Sequence, residues 1–194
     1  LEVSGDVPGR FVVLAFGKLG GNELNYSSDI DLMGVYEDGD PESRERDAKL
    51  FTEALIRLRA DLSDHTAEGY AYRVDFRLRP YGSSRPLVQH FSAVVRYYEE
   101  RASLWEHQAL VKLTPVAGNL ELGQRLLARI RPMSARPSDA ERVRETIGRL
   151  RAEAVRRIRQ DEDIKSGEGG IRDIEFLVQG MQMIHCNAHP EVLT

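Results

Sequence analysis

Gly17-Lys18-Leu19-Gly20-Gly21-Asn22-Glu23-Leu24-Asn25-Tyr26-Ser27-Ser28-Asp29-Ile30-Asp31-Leu32 is the stretch on which the fold turns. It is entered from Phe11-Val12-Val13-Leu14-Ala15-Phe16, a β-branched and aromatic run that reads as a strand buried on both faces. It leaves through Ile30 to Tyr36, which reads as a second strand. Side chains alternate along a strand, so Asp29, Asp31 and Met33 face one way while Ile30, Leu32 and Gly34 face the other. Two carboxylates therefore share a face. The small and polar residues between the two runs leave room for only one or two turns of helix.

Outward from this stretch, Leu50, Phe51, Ala54, Leu55, Leu58 and Leu62 recur at three- and four-residue spacing and predict an amphipathic helix over 47–64. Tyr70 to Leu78 alternates apolar and mostly charged residues and predicts a strand, with Asp75 alone among arginines on the charged face. A turn-rich loop from Pro80 to Ser84 follows, and Ser92 is a candidate cap for a helix running through Tyr98 towards Val111. Beyond about residue 118 no strand is expected. Ser138-x-x-Glu141 is a capping-box pattern before a helical stripe of Val143, Ile147, Leu150, Ala154 and Ile158. After a break at Ser166-Gly167-Glu168-Gly169-Gly170, Ile171, Ile174, Leu177, Val178 and Met181 form one stripe of a last helix. The expected class is α/β (α+β), with a catalytic domain over 1–117 and a helical domain over 118–194.

Asp29, Asp31 and Asp75 on neighbouring strands would repel one another unless a divalent cation neutralised them. Mg2+ suits such a set, as a two-metal site for in-line phosphoryl transfer, with Mn2+ able to substitute. An isolated Asp-x-Asp also fits a solvated sheet edge, but the flanking residues favour the metal. Backbone N–H groups at Gly17, Gly20 and Gly21 could approach phosphate oxygens, although the pattern is not a Walker loop. Lys18 adds a cation, and Ser27 and Ser28 add hydroxyls. Arg73, Arg77 and Arg79 flank Asp75, either pairing with the acids or binding phosphate through paired donors.

Composition removes other classes. With 27 Lys+Arg against 31 Asp+Glu the formal charge is −4, and 41% hydrophobic residues suit a folded soluble chain of 194 residues. The longest apolar run is far short of the ~20 residues that cross a bilayer. The single Cys186 makes no internal disulfide, so a cytoplasmic location is expected, and a start at Leu1 suggests a piece of something longer. His185, Cys186 and His189 lack a fourth zinc ligand. His107 fits a structural histidine better than an acid or base. The arginines from Arg142 to Arg159 alternate with acids and read as an ion-paired helix face, which disfavours nucleic-acid binding. Asp173 and Glu175 suit either a helix N-terminus or an active cleft.

The opening stretch resembles the signature of the glutamine synthetase adenylyltransferase/deadenylylase family of bacteria. Arg73-Val74-Asp75-Phe76-Arg77-Leu78-Arg79-Pro80, Trp105-Glu106-His107-Gln108-Ala109-Leu110-Val111 and Gly169-Gly170-Ile171-Arg172-Asp173-Ile174-Glu175-Phe176 resemble three further blocks of it, in order. The resemblance implies a DNA polymerase beta-type nucleotidyltransferase fold followed by a helical domain. It also implies carboxylates at Asp29, Asp31 and Asp75 that bind the metals. The expected partners are glutamine synthetase, the PII signalling protein, ATP or ADP and orthophosphate, with no nucleic acid and no membrane. Asn25-Tyr26-Ser27-Ser28, Arg73, Pro80-Tyr81-Gly82 and Gly170-Ile171-Arg172 look like the N-terminal half, which removes AMP from a tyrosine by phosphorolysis and gives ADP. The Trp105 block is less typical of that half. The alternatives are the forward, ATP-dependent adenylyltransferase and a catalytically silent module that senses PII.

Overall fold

The structure, a computed structural model, describes residues 9–26, 28–134, 140–156, 169–186 and 188–193. Ser27, Ser138 and Ile158, and Ser166 to Glu168 of the glycine-rich break, lie outside the described residues. In chain order the main elements are β1 (Phe11–Ala15), α1 (Gly17–Gly20), β2 (Ile30–Tyr36), α2 (Pro41–Ser63), β3 (Val74–Asp75), β4 (Val88–His90) and α3 (Phe91–Glu100). They continue with α4 (Leu104–Ala109), β5 (Thr114–Gly118), α5 (Leu120–Ser134), α6 (Ala140–Arg156) and α7 (Ile171–His185). The mixed α/β make-up and the mixed sheet are those of an α+β chain.

Two compact units divide the chain without following a single cut. One takes everything up to Ala102 together with Lys112–Ile130; the other takes Ser103–Val111 and the chain from Arg131 onward. The first unit contains the whole sheet, ordered β3-β2-β1-β5, with β4 also paired to β2. β1 lies at its centre, antiparallel to both β2 and β5, and every one of its residues is buried. A strand buried on both faces must be apolar at every position, and Phe-Val-Val-Leu-Ala meets that condition.

The alternation read from β2 holds. Ile30, Leu32 and Tyr36 join Phe11, Val13, Ala15, Phe51, Leu55, Phe76 and Val88 in one apolar cluster under α2, where the Phe11 and Phe51 rings stack 4.5 Å apart. α2 begins six residues earlier than the stripe predicts. Asp40 caps it by accepting from the Ser43 N–H at 2.9 Å, and Pro41 opens the first turn. That turn is solvated and polar, so no apolar periodicity marks it.

Three readings need correction. The period-two run from Tyr70 yields only the two-residue β3, because the N–H groups of Ala71 and Tyr72 donate to the Leu62 carbonyl near the end of α2 instead of to a ladder. The helix expected from Ser92 to Val111 is two helices, since Ser103 and Glu106 form a capping box that starts α4 afresh. Ser92 caps neither, and binds Asp38 instead. β5 was not anticipated. Pro115 hides it, yet proline is tolerated on an edge strand, and the pairing of β1 with β5 is irregular beside it, between Val13 and Leu14.

Asp38, just past β2, accepts from His90 Nδ1 at 2.7 Å, from the Ser92 N–H at 3.2 Å and from the Ser92 hydroxyl. Burial raises its pKa, but the hydrogen bonds from Ser92 and His90 outweigh burial and leave it below the usual carboxylate value. A depressed folded pKa contributes stability that is complete above the unfolded value of about 3.9 and is lost as pH falls through the folded one. The wild-type melting temperature should therefore fall more steeply below about pH 4 than that of Asp38→Asn. Equal acid slopes would show that Asp38 contributes nothing.

In the second unit α7 packs on α6, with Val143, Met183 and Cys186 in its core and Gly180 against Ile147. The stripe of Ile171, Ile174, Leu177, Val178 and Met181 exists but points away from that core, each residue being more than 40% exposed. Arg151 clasps Asp173 through Nε at 2.8 Å and Nη2 at 2.7 Å, and Asp173 also accepts from the Gly169 N–H at 2.9 Å. Asp173 thus ties α6 to the start of α7. No described helix is long and apolar enough to cross a membrane.

Candidate active site

The N-terminal end of β2 brings the predicted carboxylates together. β2 and β3 run parallel with Ile30 opposite Val74 and Asp31 opposite Asp75, so Asp31 and Asp75 are neighbours across two strands, roughly 4.8 Å apart at the backbone. Paired residues in register point to the same face, and Asp29 lies two residues before Asp31 on that face. The register is held on both sides. Ile30 N–H donates to the Arg73 carbonyl at 2.9 Å, and Phe16 N–H donates to the Asp31 carbonyl at 2.9 Å.

Each outer carboxylate has a guanidinium. Arg73 Nε donates to Asp29 Oδ1, which raises the already high pKa of Arg73. Asp75 accepts from Arg77 Nε at 2.7 Å and from the Arg77 backbone N–H at 2.7 Å. The Arg77 side-chain bonds hold the Asp75 carboxyl below its usual value against the opposing effect of burial. Arg73 and Arg77 are exposed, so each can swing away and leave oxygen donors behind.

In this arrangement no three His, Cys, Asp or Glu side chains among the described residues converge tightly enough to hold an ion. Carboxylate oxygens are nonetheless the donors that a hard divalent cation takes, and Asp29, Asp31 and Asp75 are the residues that would hold one.

The remaining predicted residues have definite places. Gly17 takes φ 57° at the start of α1, and a Cβ there would come within 3.4 Å of Asp31 Oδ2, so the backbone turn lies against that carboxylate. Gly20 is walled in by backbone, with the Lys112 carbonyl on one side and that of Ala15 on the other. Gly21 lies over the aliphatic part of Lys112, whose Nζ pairs with Glu23 at 2.5 Å. Lys18 Nζ and the Ser28 hydroxyl both donate to Asn25 Oδ1, the former at 3.3 Å. Nothing in the sequence marks Asn25 as a site residue beyond its position between Lys18 and Ser28.

Arg79 is differently engaged. Its guanidinium donates to the carbonyls of Phe76 at 2.6 Å, Arg85 at 3.2 Å and Pro86 at 3.3 Å, closing the loop between β3 and β4 like a clasp. His107, in α4, belongs to the second unit, and the neighbouring Gln108 Nε2 donates to Gln179 Oε1 at 2.7 Å within that unit.

Comparison with known proteins places these residues in context. Residues 2–129 match a family model described as glutamate-ammonia ligase adenylyltransferase, and residues 140–194 match one described as PII-uridylyltransferase. The chain is similar to the bifunctional glutamine synthetase adenylyltransferase/adenylyl-removing enzyme of Pseudomonas aeruginosa, at 44% identity over 92% of this chain and 19% of that protein. Its similarity to the enzyme of that name from Thioalkalivibrio sulfidiphilus is 41% identity over 95% of this chain and 20% of that protein. For the Pseudomonas putida enzyme the figures are 42%, 92% and 19%. The chain thus spans about a fifth of the length of the curated relatives it matches.

Proposed function

The chain belongs to the glutamate-ammonia ligase adenylyltransferase family, and from that premise we propose that it is the Mg2+-dependent nucleotidyltransferase domain that removes AMP from a tyrosine of glutamine synthetase. The observation that carries this reading is the parallel register of Asp31 with Asp75, with Asp29 on the same face and exposed guanidiniums beside it. The domain is proposed to have the DNA polymerase beta-type fold, with the helical domain following it, and to act in the cytoplasm in control of nitrogen assimilation. The PII signalling protein is its proposed regulator, a reading supported by the match of residues 140–194 to a PII-uridylyltransferase model.

The proposed reaction is phosphorolysis. An oxygen of orthophosphate attacks the adenylyl phosphorus, the bond from that phosphorus to the tyrosine oxygen breaks, the phenolate takes up a proton, and ADP leaves. Bound divalent metal would supply charge neutralisation at the phosphoryl oxygens and at the leaving oxygen. The chain's own residues do the rest. Asp29, Asp31 and Asp75 fix the cation-binding face, while Arg73 and Arg77 exchange their carboxylate partners for phosphate oxygens. The turn that carries Gly17, Lys18 and Ser28 would meet the nucleotide phosphates, whereas the Gly20 and Gly21 N–H groups are already donated to the Phe16 and Gly17 carbonyls. Arg79 acts in this scheme by holding the loop that follows Asp75.

Direction is set by the second substrate, since the metal-binding carboxylates serve transfer either way. Full-length protein given adenylylated glutamine synthetase and orthophosphate should release ADP and unmodified enzyme. Arg77→Lys should raise the phosphate requirement, because a point charge lacks the planar fork that grips two oxygens. Inactivating this domain with Asp31→Asn should abolish that release while sparing addition of AMP from ATP. Loss of AMP addition with phosphorolysis intact would assign the chain to the forward reaction, and loss of neither would leave a silent PII-sensing module.

A further inference from the structure

Five residues beyond Asp31 along β2, and on the opposite face of the sheet, Tyr36 helps to wall a cavity of about 290 Å3. At about 3.3 Å per residue it lies roughly 16 Å along the strand from the carboxylate face. Its other walls include Tyr81 and Arg85 of the loop between β3 and β4, His90 at the end of β4, and Arg96 and Tyr97 of α3. None of these residues takes part in the proposed transfer.

The walls are aromatic and the mouth is cationic. Tyr81 stands edge-on to Tyr97 with ring centroids 4.5 Å apart, and Tyr36 stands edge-on to His90 at 6.1 Å. The Arg85 guanidinium lies over the Tyr81 ring, 5.2 Å from its centroid. Arg85 and Arg96 are both exposed, and neither forms an ion pair with a described residue, in contrast to Arg73 and Arg77. The Asp38 carboxylate, bonded to His90 and Ser92, keeps its negative charge and acts on Tyr36 in the opposite wall, so the cationic edge is that of Arg85 and Arg96.

The loop that carries Tyr81 and Arg85 is also preorganised at a cost. Tyr81 takes φ 62°, a left-handed conformation that costs a side-chain-bearing residue about 1–2 kcal/mol. The conformation is over-determined by the Arg79 clasp, which binds carbonyls at both ends of the loop, and by Ser84, whose hydroxyl donates to the Tyr81 carbonyl at 2.6 Å. Strain held in this way presents the Tyr81 ring and the Arg85 guanidinium together.

We propose that this cavity binds a small organic anion with a flat apolar body, its ring packed against Tyr81 and Tyr97 and its carboxylate or phosphate received by Arg85 and Arg96. The volume lies at the small end of ligand pockets, which limits the occupant to one compact molecule. Guanidinium donors suit either oxyanion, and aromatic walls suit a ring at low entropic cost. The site is separate from the carboxylate face, so its ligand is neither the nucleotide nor the attacking phosphate.

Calorimetric titration of the full-length protein with phenyl phosphate and with benzoate tests the proposal. At least one of the two should bind, and Arg96→Gln should weaken that binding at least tenfold with an unchanged melting temperature. Arg77→Gln, on the carboxylate face, should leave it within twofold. Preference for phenyl phosphate would identify a phosphorylated ligand and preference for benzoate a carboxylated one. Binding of neither probe would overturn the proposal, as would binding that survives both Arg96→Gln and Arg85→Gln or is lost with Arg77→Gln.

Discussion

Asp31→Asn is expected to lower nucleotidyl transfer by at least about a thousandfold, equivalent to about 4 kcal/mol of transition-state stabilisation, while leaving the fold intact. Asp31 is the middle carboxylate, beside Asp75 in the strand register and two residues from Asp29 on one face. It also lies against the Gly17 turn. Asparagine keeps the size and an oxygen but removes the charge that a hard cation requires. The change also removes one of three like charges from the face, so melting without metal should hold or rise. Activity assays of the full-length protein with Mg2+, paired with thermal melting, separate the two effects. A variant that retains near-normal metal-dependent turnover would remove Asp31 from the site.

The second large effect is structural. Gly20→Ala is expected to destabilise the protein by about 3 kcal/mol or more, a large share of the 5–15 kcal/mol that holds most domains. A Cβ at this position would stand 2.0 Å from the Lys112 carbonyl oxygen and 2.3 Å from that of Ala15. Both obstacles are backbone, so neither can rotate aside, and the Thr114 hydroxyl fastens the Gly20 carbonyl at 2.9 Å from the same side. Relief would require α1 to part from β1 and from the strand end at Thr114. Gly148→Ala is the matched control. It lies inside α6 with nothing within 4 Å of an added Cβ, and alanine there should gain about 0.5–1 kcal/mol. Urea denaturation of both variants measures the difference, and a Gly20→Ala midpoint equal to wild type would show that the chain around α1 yields.

The two residues also mark what could be read from the sequence. β1 and β2 were legible because a doubly buried strand and a one-sided strand leave different apolar patterns, and Asp29 and Asp31 share a face by alternation alone. The approach of Asp75 to Asp31 spans 44 residues and depends on strand pairing, which only the charge pattern around Asp75 hinted at. The sequence points to the turn glycines as phosphate contacts, but the close approach at Gly20 comes from the Lys112 and Ala15 carbonyls, and Lys112 is remote in sequence. Tyr70 to Arg73 alternate like a strand yet lie beside the end of α2, whose Leu62 carbonyl takes the N–H groups of Ala71 and Tyr72. Sequence spacing groups Arg79 with Arg73 and Arg77. Its three carbonyl partners follow from the closure of a loop that period-two alternation does not encode.

Divalent-metal binding tests the carboxylate face most directly. Titration of the full-length protein with Mn2+, followed by electron paramagnetic resonance of the unbound ion, should show sites from which Mg2+ displaces it. Asp31→Asn and Asp75→Asn should each weaken a distinct part of that binding at least tenfold, while Arg96→Gln leaves it unchanged. Mn2+ affinity that is the same in wild type and in both aspartate variants would contradict the assignment of Asp29, Asp31 and Asp75 as the metal-binding face.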